Sequence, residues 1–422
     1  MYFFYFYPLG LDRKRERRPV LSWVMMVLMV VTFLWMRTFP QRGPVDPYEL
    51  IFFVGSGKPW TAMTAVFLHG GWLHLLGNLL YFHVFGPPLE DRLGPARFFM
   101  YFMMMGVFGN LVHGLVTSMG WLGSPGVGVL GASGGIAGLL SFSLIRFYDA
   151  RIAVAWWVLA PLAGQNKAGR SYLPMFAAVG LWLLLQVVQA VAATESGANV
   201  SFGAHLGGFS MGLVLALGLG QFGAAKLEAL QGRAERYFRD GHFHAAAGTW
   251  TEYLERAPRC LTGRRGMARA QRSCGQFNDS RSHYLTLYKH LVALNRVDEA
   301  LEVFAEATRG QDLAQFGPEV LTRVAYYREK QMDYTGALAA YKRLYEAYGQ
   351  RQDGQRALVR VIVLYHGKIA DPAAARHWLD IAARQLPPGS WRRYLEQEFN
   401  LATDPGATSE ATAGDTVPRP VS

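Results

Sequence analysis

The 422 residues are 51% hydrophobic and 14% aromatic but only 17% charged, with a formal net charge of +11. The charge is unevenly spread: up to Gly220 the chain holds 14 Lys/Arg and 8 Asp/Glu, and from Gln221 onward it holds 28 and 23. The first half is far below the roughly 25% charge of a water-soluble domain, which excludes a single soluble enzyme as well as a disordered or collagen-like chain.

In chain order, the aromatic run at residues 2–7 suits a membrane interface, where such rings are favoured. It is too short for a signal-peptide core and has no basic segment before it. A basic cluster at residues 13–18 precedes an apolar run, 20–36, long enough to span with help from its flanks. A second uncharged run covers 60–89. Residues 98–145 contain no Lys, Arg, Asp or Glu and hold two spans around a turn at 118–128 rich in Gly, Ser and Pro. Residues 152–162 are apolar but too short to cross, and are expected at the interface or packed on the bundle. Residues 172–193 and 202–220 complete six spans. The expected inner segments carry eleven Lys/Arg, the outer ones only Arg37, Arg42 and Lys58. The positive-inside rule therefore directs both chain ends to the cytoplasm. The expected organisation is all-α: a cytoplasmic segment 1–18, a six-helix transmembrane bundle 19–222, a soluble helical domain 226–400 and a disordered tail 401–422. Cys260 and Cys274, both in the charged half, make no disulfide framework and suit a reducing compartment.

Polar groups inside spans are costly and mark function by default. Span two opens on His69, His74 and Asn78, the last two sharing a helical face four residues apart. Span four opens Gly131-Ala132-Ser133-Gly134, and span six Gly203-Ala204-His205-Leu206-Gly207-Gly208. All three enter from outside, so these groups share one depth. Small residues at Gly131, Gly134, Gly138, Gly208 and Gly212 permit close approach of spans four and six. That approach brings Ser133 within reach of His205, a suitable base for a hydroxyl nucleophile. No acidic residue has an obvious third position, so a Ser–His dyad is expected. His74, Asn78 and the Ser133 N–H are the available oxyanion donors. No His-Glu-x-x-His occurs and the spans hold no Cys, so a metalloprotease is disfavoured.

These three motifs, in this order, resemble the rhomboid family of intramembrane serine proteases, as does the segment Val84-Phe85-Gly86 to Glu90-Asp91-Arg92-Leu93-Gly94. The resemblance covers roughly residues 19–222. It implies a six-helix bundle, Ser133 as nucleophile, His205 as general base and His74 and Asn78 at the oxyanion site. It further implies transmembrane protein substrates cut near their outer ends, with no metal or cofactor. Two positions depart from the family pattern: Ala137 stands where many relatives carry an aromatic residue, and Thr61 follows Trp60 where many carry Arg. A catalytically silent protein of the same fold, binding and escorting client membrane proteins, is the alternative. A bacterial inner membrane is the expected location.

In the charged half, Tyr237, Gly241, Phe243, Trp250 and Leu254 recur in register as Gln271, Gly275, Phe277, Tyr284 and Tyr288. The offset matches the tetratricopeptide period of about 34 residues. The pattern resembles such repeats, and implies a cytoplasmic protein partner. The basic balance does not point to nucleic acid.

Overall fold

The computed structural model describes residues 3–399 except Lys14 and residues 39–45, 121–127, 161–164 and 197–200. The expected disordered tail, 401–422, lies outside the described residues. The chain divides into two compact units, Met1–Ala229 and Leu230–Ser422, and is mostly helical.

In the first unit each expected span falls on a helix: α1 (Val20–Thr38), α2 (Trp72–Leu93), α3 (Pro95–Ser118), α4 (Ser133–Arg146), α5 (Met175–Ser196) and α6 (Phe202–Gly218). By length and apolarity alone, α1 and α3 qualify as membrane-crossing. A third is α6 if it is counted with α7 (Gln221–Arg239) across a 64° bend. Two of the other helices fall short for visible reasons. α2 ends in Glu90-Asp91-Arg92. The 14 residues of α4 rise only about 21 Å.

The all-α expectation is corrected by a three-stranded antiparallel sheet in the order β1 (Phe3–Leu11), β2 (Arg151–Ala160) and β3 (Gln165–Pro174). The aromatic run expected at the interface is β1, and the short apolar segment expected to pack on the bundle is β2. Tyr7 pairs with Ala155, which pairs with Arg170. In β2 the cause is a two-residue period, with Ile152, Val154, Trp156 and Val158 on alternate positions, and in β1 the aromatic run itself favours a strand. Ile152 and Val154 enter the helical core at 3% and 1% exposure, while Trp157 turns outward.

The core of this unit is aromatic and sulfur-rich. Phe82 meets Phe102 edge-on at 5.2 Å and Phe98 at 6.0 Å, with Met25, Met29 and Phe33 of α1 in the same cluster. The start of α1 is held by the end of α2. Glu90 accepts from the Leu21 and Ser22 backbone N–H groups at 3.0 and 2.7 Å and from Ser22 Oγ at 2.6 Å. Asp91 accepts from the Arg17 N–H at 2.7 Å. First-turn amides have no partner within their own helix, and their partial positive charge favours carboxylates.

The second unit is a run of helices: α8 (Phe243–Arg256), α9 (Leu261–Ser273), α10 (Phe277–Ala293), α11 (Val297–Thr308), α12 (Pro318–Lys330), α13 (Tyr334–Tyr348), α14 (Gln352–Leu364), α15 (Pro372–Gln385) and α16 (Ser390–Phe399). One turn recurs between them. Gly241, Gly275, Asn295 and Met332 have φ of 82°, 78°, 56° and 63°. Each is followed by an amide bonded back five residues, as in His242 N–H to Tyr237 O at 2.8 Å and Gln276 N–H to Gln271 O at 2.9 Å. This is the Schellman closure, which reuses helix-end carbonyls. Gly241 and Gly275 occupy equivalent positions of the sequence period, whereas Asn295 and Met332 fall out of step with it.

Candidate active site

The start of α4 carries Ser133 as its first helical residue, after a turn that only glycine readily adopts: Gly131 has φ of 126°. The Gly131 N–H is fixed to Ala65 O at 2.8 Å. A Cβ at Gly131 would stand 2.7 Å from His74 Nε2 and 3.6 Å from Asn78 Nδ2. The side chains of α2 therefore press against the backbone two residues before the serine. Asn78 is 7% exposed, and its Nδ2 makes no hydrogen bond among the described residues. His69 is 2% exposed and meets the His74 ring edge-on at 5.3 Å.

The contact between α4 and α6 is backbone against backbone. A Cβ on Gly134 would lie 3.2 Å from the Ala204 carbonyl oxygen. One on Gly208 would overlap the Gly134 carbonyl, and one on Gly212 the Gly138 carbonyl. On its other side α6 presses on α3: a Cβ at Gly109 would come 2.5 Å from Ala204 O, and one at Gly203 would come 2.9 Å from His113 Cα. His113 in turn shares a 3.3 Å hydrogen bond with Thr117. A side chain at Gly109, Gly203, Gly208 or Gly212 would collide with the facing helix, so the helices meet this closely only through their glycines.

Gly134 follows Ser133 and Ala204 precedes His205, so the expected nucleophile and base flank this close backbone contact. Both are half-buried. Among the described residues, Ser133 Oγ and the His205 ring share no hydrogen bond. Such pairs are commonly loose without substrate and tighten when it binds. His74 and Asn78 adjoin the same turn, so three segments converge on the start of α4. The Ser133 N–H belongs to the helix's first turn, whose amides lack intrahelical partners.

The histidine has a partner that the sequence reading missed. His205 Nδ1 lies 2.6 Å from Gln186 Oε1 on α5. Trp182, one turn earlier on α5, has its ring 6.2 Å from the imidazole and stacks on Phe209 at 6.1 Å and 12°. Phe202 stands edge-on to the imidazole at 6.5 Å. Ala137, where relatives often carry an aromatic residue, is fully buried; these rings come from α5 and α6 instead. The missed signal was a glutamine inside the apolar run Leu183-Leu184-Leu185-Gln186-Val187-Val188.

Comparison with known proteins bears on the same region. Residues 56–222 match the Rhomboid domain. The rhomboid match begins after α1. The chain is 34% identical over 103 residues to "Putative rhomboid protease YdcA" of Bacillus subtilis, covering 24% of this chain and 48% of that protein. It is 27% identical over 231 residues to "Rhomboid-like protein 11, chloroplastic" of Arabidopsis thaliana, covering 51% and 71%. With "Rhomboid-like protease 3" of Toxoplasma gondii it shares 28% over 156 residues, covering 37% and 50%. The chain thus spans about half the length of the Bacillus and Toxoplasma relatives. Together these matches support the rhomboid family, and with it an integral membrane protein built on apolar helices.

Proposed function

We propose that the rhomboid domain is an intramembrane serine endopeptidase that cleaves transmembrane proteins near the outer membrane face. The observation that carries this reading is the glycine contact between α4 and α6, which adjoins Ser133 on one helix and His205 on the other. In the proposed reaction Ser133 Oγ attacks the scissile carbonyl while His205 takes its proton. Asn78, His74 and the Ser133 N–H receive the developing oxyanion. His205 then returns the proton to the leaving amine, and water hydrolyses the acyl-enzyme by the reverse sequence. The short α4 supports the depth of cleavage. Its rise of about 21 Å falls short of a roughly 30 Å hydrocarbon core, so with Arg146 at the inner end Ser133 is recessed below the outer surface.

The proposal extends to the rest of the chain. Six spans with both termini in the cytoplasm fit the distribution of Lys and Arg, and the proposed location is a bacterial inner membrane. The second unit, with its recurring helix turn, is read as a tetratricopeptide-like domain that binds a cytoplasmic protein.

The test uses the full chain in proteoliposomes with a single-span substrate. Ser133→Ala and His205→Ala should each abolish cleavage, and Asn78→Ala should lower kcat by about 100-fold, as loss of one oxyanion donor does. A fluorophosphonate should label wild type and not Ser133→Ala. Cleavage by Ser133→Ala at the wild-type rate overturns the mechanism. A folded wild type that neither cleaves nor takes the label favours the client-binding alternative.

A further inference from the structure

We infer that Gln186 is the positioning residue of the catalytic base, a neutral third member placed behind His205. The inference rests on the reading of Ser133 and His205 as a reacting pair. Its observation is the 2.6 Å contact from His205 Nδ1 to Gln186 Oε1.

An amide oxygen can only accept, so this contact places the ring hydrogen on Nδ1 and leaves Nε2 with its lone pair free. A general base working on Ser133 needs that tautomer. A wrong tautomer with intact geometry disables such bases in soluble hydrolases. The amide also fixes the ring's rotation, together with the Trp182 and Phe202 rings at 6.2 and 6.5 Å.

In soluble serine hydrolases this place is often filled by a carboxylate. Here it falls on α5, whose 22 residues carry a single acid, Glu195, near the far end. An ionised group on an apolar span is expensive, whereas an amide carries dipoles without net charge. Gln186 thus supplies the acceptor without burying an anion. Packing alone does not account for it, since leucine would fill a similar volume among Leu184, Leu185 and Val187 without a polar group to satisfy.

The experiment compares Gln186→Leu and Gln186→Glu with wild type and Ser133→Ala, all as full chains in proteoliposomes. It measures kcat, KM, fluorophosphonate labelling rate and thermal midpoint. Gln186→Leu should lower kcat and the labelling rate together by about 10–100-fold, the usual effect of losing an orienting partner. KM and the thermal midpoint should hold. Gln186→Glu keeps an acceptor oxygen in either protonation state, and should recover most of the lost kcat. Wild-type kcat in Gln186→Leu overturns the inference. So does Gln186→Glu being as slow as Gln186→Leu, which would make the residue a packing element. If Ser133→Ala cleaves like wild type, the underlying mechanism falls, and that outcome is separate because it does not depend on residue 186.

Discussion

At Gly208 a single methyl group decides whether two helices can meet. Its Cβ would overlap the Gly134 carbonyl, which is backbone and cannot swing away as a side chain could. Gly208→Ala should therefore destabilise the first unit by about 1–3 kcal/mol, the usual cost of overpacking, and also separate Ser133 from His205. Gly180→Ala on α5 is the control, since a Cβ there meets nothing within 4 Å. A thermal midpoint in detergent and a cleavage assay on both variants check this; equal behaviour of the two would refute it. Ser133, His205, His74 and Asn78 were legible as candidates because each is a polar residue on a glycine-bearing apolar run. Gln186 obeys the same rule of costly polarity, but as a neutral amide it does not answer the requirement for an acid behind the histidine. Its role depends on a neighbour 19 residues away, across a helix–helix contact that no local pattern specifies.

The elements divide by how local their causes are. Helices α1 to α6 follow from long uncharged runs, and each of those runs fell on a helix. The sheet was not readable, because β1 at the start of the chain pairs with β2, which comes only after α1 to α4. A short apolar run also serves equally as strand or buried helix. The sheet's packing is nonetheless tight at one point. A Cβ on Gly169 would come 2.6 Å from Trp156 Cζ2, and the Trp156 Nε1–H donates to Ser171 Oγ at 3.0 Å. Gly169→Val should displace that indole at a cost of about 1–3 kcal/mol. A lowered thermal midpoint with altered tryptophan emission would register it, and an unchanged midpoint would contradict it. In the second unit the sequence period coincides with matching turns at Gly241 and Gly275. It lapses at Asn295 and Met332, where the same closure recurs at uneven spacing and without glycine.

At the scale of the whole molecule, pH-dependent stability is carried by groups in the second unit. In the second unit, burial and then the nearby Arg264 guanidinium hold His283 below its ordinary pKa of 6.5. The unfolded chain takes up a proton near pH 6.5 that the folded unit resists. This contribution to stability is thus intact above that pH and is lost as pH falls below it. Asp312 adds a second loss at lower pH. Its hydrogen bonds from Arg343 and then the Ala314 N–H hold it at about 2, so its contribution fades as pH drops from its ordinary value of 3.8 toward 2. His283→Gln should flatten the stability profile as pH falls below the ordinary histidine value of 6.5, measured by amide exchange over Leu261–Ala293 in the full chain. A slope identical to wild type would show that His283 does not supply it.

The carboxylates at the end of α2 carry a consequence for biosynthesis. Glu90 completes the start of α1 from 68 residues downstream. A ribosome therefore delivers α1 long before the group that finishes it exists, and water or lipid headgroups must satisfy its leading amides meanwhile. A nascent chain that stops before Glu90 lacks the carboxylates that complete this helix start.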